Sequence, residues 1–462
     1  MADRTTATHR TETFVTTMTE RMAALARTVS DWVQAEARPL QEIEEQMVRV
    51  LHDLGNLLLA ALLPLAAPAR PRPDVSCPCG QIAHYPRVRP ATVTTVLGRM
   101  TLERAVYTCP QCGERQAPLD QQLQVMAGGL SLGLQELLAM LGATQDSFAQ
   151  ATEVLARLCL VQVCPNSARA ATEDLGAVLA THDQTLVTVA EQTQTAPPAV
   201  RPPLMRASIS MDGVLAHIRA AGWKALKAGC IYTTHTRVPR MRPDTIEIRA
   251  EQQSYVTALT PADRFGWLRW SEARRRGVTD TTEVVVIGAG AHWIWNSASA
   301  HFPQATQIVD WYHASQYVWN AATTIYGEGS ELRTPWAHKH LDGLWDGRVN
   351  EVLTALEPFR TKGEGVKDAI TYDTTHQARM DYPAYRARGL QIGSGPVERA
   401  CKQLVSARLK LAGMIWDAEG AEAVAVVRAW LRSNRWQAAM RLRPPPQRGY
   451  RRQAALPAAA AA

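Results

Sequence analysis

The sequence predicts a mixed α/β protein that carries a small metal-held β unit, and three observations predict it. Between residues 207 and 327, alternating and continuous apolar runs follow the order strand, strand, strand, helix, strand, helix, strand. Four cysteines stand in two close pairs, Cys77 with Cys79 and Cys109 with Cys112. Flanking stretches, 14–64, 130–192 and 328–440, carry apolar residues mainly at helical spacing.

A chain of 462 residues has room for roughly two to four domains. Its 46% hydrophobic and 20% charged residues are ordinary for a soluble protein. The polar start, MADRTTATHRTETF, has no apolar core of the kind a signal peptide needs. The longest apolar stretch, 54–69, falls short of the ~20 residues that cross a bilayer and reads as a buried helix end. No membrane partner is expected. Paired cysteines without an export signal favour metal over disulfides, and hence a cytoplasmic setting.

The net charge of +7 and a pI near 9.0 suit a nucleic-acid partner. Beyond Glu422 no acid occurs, but eight arginines do: Arg428, Arg432, Arg435, Arg441, Arg443, Arg448, Arg451 and Arg452. This end is either a phosphate-contacting segment or a solvated tail.

In chain order, 1–70 is a helical region, stopped by the proline-rich PLAAPARPRPD. Residues 75–118 hold the cysteine pairs around VTTVLGRMTLERAVYT, whose β-branched alternation and Gly98 read as a hairpin. Two thiolate knuckles on a hairpin make a closed tetrahedral site for a structural Zn²⁺, a zinc ribbon. The first knuckle has one residue between its cysteines where two is usual. Cys159, Cys164, Cys230 and Cys401 are read as packed thiols. Region 119–195 is helical. SFAQATEVLARL, a short turn and a helix opening at Pro165 match a helix-turn-helix, with Asn166 and Arg169 placed to meet DNA; a plain packed helix pair fits the same pattern. The remaining expectations are a core over 204–327, a helical insertion over 328–392, a helical segment over 393–440 and a basic, alanine-rich tail over 441–462.

Within the core, SISMDGVLAHI places Asp212 inside a strand, where a carboxylate needs a partner such as a metal ion. The strand and helix order is the RNase H-like topology. That fold cuts phosphodiesters with two Mg²⁺ ions held by carboxylates from strand one, the end of strand four and a later helix. Asp212 fills the first place. GSGPVERACKQLVSARLKLAG fills the third with Glu398, followed by Lys402, Arg408 and Lys410 as phosphate contacts. A capped surface helix is the plainer reading of that segment alone. Trp416 either stacks on a base or packs in a core.

Together, MDG, WIWNSASAHFPQATQIVDWYHASQYVW, MDYPAYRARGLQIGSGPVE and RLKLAGMIWDAEGAEAVAVVRAWLRSNRW resemble the ISKra-type insertion-sequence transposases, relatives of the Mutator-like transposases. The resemblance covers about residues 75–440. It implies an RNase H-like catalytic domain with a helical insertion, and Mg²⁺-dependent cleavage and joining of double-stranded DNA ends, with a homo-oligomer on that DNA. It also implies that Asp212 and Glu398 are the first and third acids. The family's second acid is expected in a GDGA sequence, but this chain reads Gly288-Ala289-Gly290-Ala291, with alanine at the acidic position. Asp310 on the next strand is the alternative middle carboxylate, or else a structural or supporting partner of the nearby histidine. Three functions follow: an active transposase, a transposase-derived DNA-binding protein without catalysis, and another RNase H-like nuclease.

Overall fold

The computed structural model describes residues 2–66, 72–125, 129–238 and 247–443. The chain divides into two compact units, 1–171 with 443–462, and 172–442. The expected tail therefore lies, from residue 444 on, outside the described residues.

The first unit opens with α1 (Ala2–Gln34) and α2 (Leu40–Ala66), separated at Pro39, whose ring cannot continue a helix. Next come β1 (Asp74–Ser76), β2 (Ile82–Thr95), β3 (Gly98–Thr108) and β4 (Arg115–Gln116), an antiparallel sheet in sequence order. The expected hairpin is β2–β3, closed through Val96 and Leu97. Leu59, Ala60 and Leu63 of α2 pack against Val93, Met100 and Leu102 of the hairpin. The expectation that the apolar stretch of α2 is buried is corrected. Leu51 and Leu62 are exposed, because the hairpin covers only one side of the helix. By length and composition, the stretch Leu40–Leu65 could also cross a membrane.

After α3 (Pro118–Gln122) come α4 (Leu132–Thr144), α5 (Phe148–Cys159) and α6 (Pro165–Thr193). Ser131 and Ser147 cap α4 and α5 by accepting from Leu134 N–H and Gln150 N–H. Leu134, Leu138, Ala151, Leu155, Val161, Ala168 and Ala171 form one core under the three helices. α6 begins at Pro165 as expected, but it is one helix of 29 residues rather than a short one. Cys164 is exposed, which corrects its reading as a packed thiol.

The second unit contains β5 (Arg206–Ile218), β6 (Gly222–Arg237), β7 (Glu247–Ala258), α7 (Ala262–Arg275), β8 (Glu283–Gly288), α8 (His292–His301), β9 (Thr306–Val309) and α9 (Trp311–Tyr326). The sheet order is β7-β6-β5-β8-β9; β5–β6 and β6–β7 are antiparallel, while β5–β8 and β8–β9 are parallel. Val284, Val285, Val286 and Ile287 are all buried, as a strand covered on both faces requires. The helical insertion holds α10 (Arg333–Trp345), α11 (Val349–Leu356), α12 (Glu364–His376) and α13 (Tyr382–Ala387). Residues of α12 and α13, among them Val366, Ala369 and Tyr382, share the core of the sheet with Ile209, Phe265 and Ile294.

The single helix expected over 393–413 is replaced by α14 (Gly395–Ala400), a π-helical stretch Cys401–Ser406 and α15 (Ala407–Leu409). Then follow α16 (Ala418–Arg432) and α17 (Trp436–Leu442). A Cβ on Gly176 of α6 would collide with the backbone of Ala423 in α16, so only glycine permits this crossing. Arg428 is buried and donates to the Gln403 carbonyl, and Arg435 donates to Glu272. These two arginines are therefore part of the fold rather than of a solvated basic segment.

Candidate active site

Three strand ends build the site. β8 lies parallel to both β5 and β9, with Ser210 opposite Ile287 and Ile287 opposite Ile308. Strand side chains alternate with a period of two, so Asp212, Ala289 and Asp310, each two residues further on, fall on one face. The Asp310 N–H donates to the Gly288 carbonyl at 2.9 Å and carries the pairing to that point. Ala289 thus stands between two carboxylate-bearing neighbours.

Asp310 is fully buried and caps α9. Its Oδ1 accepts from Tyr312 N–H at 3.0 Å, and its Oδ2 meets His313 Nδ1 at 2.6 Å. The Ser394 hydroxyl lies 2.6 Å from the same Oδ2 and 2.8 Å from Glu398 Oε1. One hydroxyl proton cannot serve two carboxylates at once. The Ser394 side chain makes no helix cap, because it faces these two acids instead. Asp310, His313 and Glu398 offer ligand atoms all within 4.8 Å of one another. Opposed ligands of Mg²⁺ stand about 4.2 Å apart, so a small contraction makes this group a cation site. Asp212 is not part of that closest group, but it senses the charge of Glu398.

The electrostatics follow from these contacts. Burial pushes the Asp212 carboxyl up, against the Gly213 N–H and the His313 charge, and Glu398 pushes it further up. Burial would raise Asp310 too, but the hydrogen bonds from His313, Ser394 and Tyr312 hold it below the usual carboxylate range. The bond to Asp310 raises His313, and the charges of Asp310, Glu398 and Asp212 add to that against burial. Three carboxylates and one imidazolium leave a charge of −2, which one divalent cation balances.

Of the basic residues expected beside Glu398, Lys402 and Lys410 are exposed. Arg408 is corrected: it is buried, with its guanidinium 5.0 Å from the centre of the Trp416 ring. Trp416 is buried as well and is fastened to the end of β5 by its N–H on the His217 carbonyl at 3.0 Å, so it packs rather than stacks on a base. Asn166 and Arg169 are exposed on the first turns of α6. Sequence reasoning missed Ser394 and Tyr372, whose hydroxyl donates to the Ala289 carbonyl at 2.9 Å. The Gly-Ser-Gly ahead of Glu398 was the available signal for Ser394; nothing marks Tyr372.

The cysteine unit is a second candidate metal centre. Cys77 and Cys112 sulfurs lie 3.5 Å apart, and those of Cys79 and Cys109 3.6 Å apart. These are too long for a disulfide and close to the ~3.8 Å edge of a tetrahedron with Zn–S bonds of about 2.3 Å. All four sulfurs fall within 4.8 Å of one another. Gly80 and Gly113 turn each knuckle at φ 87° and 71°, a region costly for other residues. The one-residue spacing of the first pair therefore does not prevent convergence. Backbone N–H donors around Cys109 lower its thiol to about 6, against burial. Comparison with known protein families and with curated proteins finds no match for the chain.

Proposed function

We propose that the chain is a DDE-type DNA transposase of the insertion-sequence class, built on an RNase H-like core and a zinc ribbon, with its catalysis impaired by Ala289. The observation that carries this reading is the convergence of Asp212, Asp310 and Glu398 at the carboxyl ends of strands in the order β7-β6-β5-β8-β9. In this reading Asp212 and Glu398 hold Mg²⁺. Asp310 orients His313 and Ser394, since its oxygens already accept from three donors. Bound Mg²⁺ would activate the attacking oxygen and stabilise the leaving one at a DNA phosphodiester. Zn²⁺ on the four thiolates would hold β1–β4 together. The exposed Asn166, Arg169, Lys402 and Lys410 are the proposed DNA contacts.

The test is cleavage and strand transfer of DNA carrying the element's ends, with Mg²⁺ or Mn²⁺. The parent chain is expected to be nearly inactive, and Ala289→Asp to raise the rate by about a hundred-fold or more, as expected when a missing transition-state ligand is restored. If the parent is active and Asp310→Asn abolishes that activity while Ala289→Asp changes nothing, Asp310 is the middle acid instead. One observation favours a second reading, a DNA-binding protein without catalysis. The position in register between Asp212 and Asp310 carries no acid.

A further inference from the structure

At the other end of the same sheet from Asp212, the edge strand β7 and the C-terminal ends of α7 and α16 enclose a cavity of about 450 Å³. That size lies within the ~300–1,000 Å³ range of small-molecule sites. Its walls carry five arginines, Arg201, Arg275, Arg276, Arg432 and Arg435, and one acid, Glu251. Behind the wall, Glu272 receives Arg275 through two bonds of 2.7 and 2.6 Å and Arg435 through one of 3.3 Å. Counting Glu272, five guanidinium groups face two carboxylates, a surplus of three positive charges.

Arg276 decides the matter. It is only 3% exposed, and its Nε and Nη2 have no hydrogen-bond partner among the described residues. Buried guanidinium donors are costly to leave unpaired, so a polar occupant of the cavity is called for. Arginines at the end of α7 could have served only to offset the helix dipole. Arg276, however, turns unpaired donors towards a cavity shared with four other cations. The cavity wall is also locally irregular. Gln252 (φ 48°) and Asn434 (φ 56°) adopt left-handed backbone, and β7 is bulged where Ile231 pairs with Ser254 and Thr233 with Glu251. Neighbouring cations, Arg201 and Arg275 among them, add to burial in disfavouring the charge on Arg276, which an anion would relieve.

We propose that this cavity is a phosphate-binding site, in which Arg276 donates from the floor and Arg201 and Arg432 close over the ligand from the rim. The planar, multi-donor guanidinium suits phosphate oxygens, and five of them suit a doubly charged group. The proposal does not depend on the transposase reading, because none of these residues belongs to the acidic site.

The test uses the full-length chain and isothermal titration with three probes: inorganic phosphate, a deoxydinucleotide with one bridging phosphate, and sodium chloride at matched ionic strength. Phosphate or the dinucleotide should bind, and Arg201→Gln with Arg432→Gln should weaken binding about ten-fold or more, the effect of losing charge-assisted bonds. Both residues are exposed, so the variant should fold. Arg276→Met, checked for folding by circular dichroism, should abolish binding. Tighter binding of inorganic phosphate than of the dinucleotide identifies a free phosphate ligand, and the reverse order identifies a nucleic-acid backbone. Phosphate should also protect Arg201 and Arg432 from phenylglyoxal, read by mass spectrometry. Asp212→Asn should leave phosphate binding intact even if DNA cleavage is never detected. No heat above the chloride control with either phosphate probe, or equal binding by the Arg201→Gln/Arg432→Gln variant, overturns the proposal.

Discussion

Replacing Ala289 by aspartate puts a fourth carboxylate into a site already at −2, and the consequence can be read without any DNA. Neighbouring strands lie about 4.8 Å apart, so the new carboxylate would stand about 5 Å from each of Asp212 and Asp310. At an effective dielectric constant near 20, two charges at that distance repel by about 3 kcal/mol. The site is open to solvent at Glu398, and His313 offsets part of the repulsion, so a net cost of about 1–3 kcal/mol is the realistic range. Metal-free Ala289→Asp should therefore melt below the parent, by about 2–4 °C per kcal/mol. Mg²⁺ reverses the sign, because the added carboxylate becomes a ligand. At a hundred-fold excess over its dissociation constant, a bound ion returns about 2.7 kcal/mol. Thermal melting of parent and variant with EDTA and with Mg²⁺ should show the two curves crossing. If the variant gains no more from Mg²⁺ than the parent does, Ala289 does not face a metal site, and the register argument fails.

Metal analysis of protein prepared without chelator should find about one zinc per chain, and Cys109→Ser should lower it and destabilise residues 75–118. Binding to DNA should fall steeply with salt, and deleting 444–462, which spares the bonds of Arg443 to Leu132 and Gln135, should lower affinity for all sequences alike. Glu272 gives a pH dependence. Burial would raise its carboxyl, but Arg275 and Arg435 hold it below the usual value. A folded-state value below the unfolded one adds stability that is present above the unfolded value and is lost as pH falls through the folded one. Acid melting of the 172–442 unit should therefore steepen below the normal glutamate range of about 4.3, and Glu272→Gln should flatten that slope.

The strands of the second unit were legible because their chemistry is local. Val284–Ile287 is an uninterrupted β-branched run, and Asp212 and Glu398 sit in short, distinctive motifs. Burial was less legible, because it depends on what arrives from elsewhere. Leu51 and Leu62 look like core residues, yet the hairpin covers only the side of α2 that bears Leu59 and Leu63. Arg408 looks like a surface cation, yet it lies against Trp416. Ser394 joins two acids, one of them 84 positions away, and no spacing rule reaches that far. The phosphate cavity draws on residues from Val200 to Arg435, so its arginines look unrelated along the chain.

The π-helical stretch Cys401–Ser406 has a consequence for tolerated changes in chain length. A π turn holds one residue more than an α turn, so losing any single residue there would allow an ordinary helix to run on from Glu398. Everything downstream would then rotate by about 100° relative to that acid. Arg408 would swing from beneath Trp416, and the Trp416 backbone would leave His217 at the end of β5. Single-residue deletions are usually absorbed by loops; in these six positions one would be transmitted through the helix to the strand that bears Asp212.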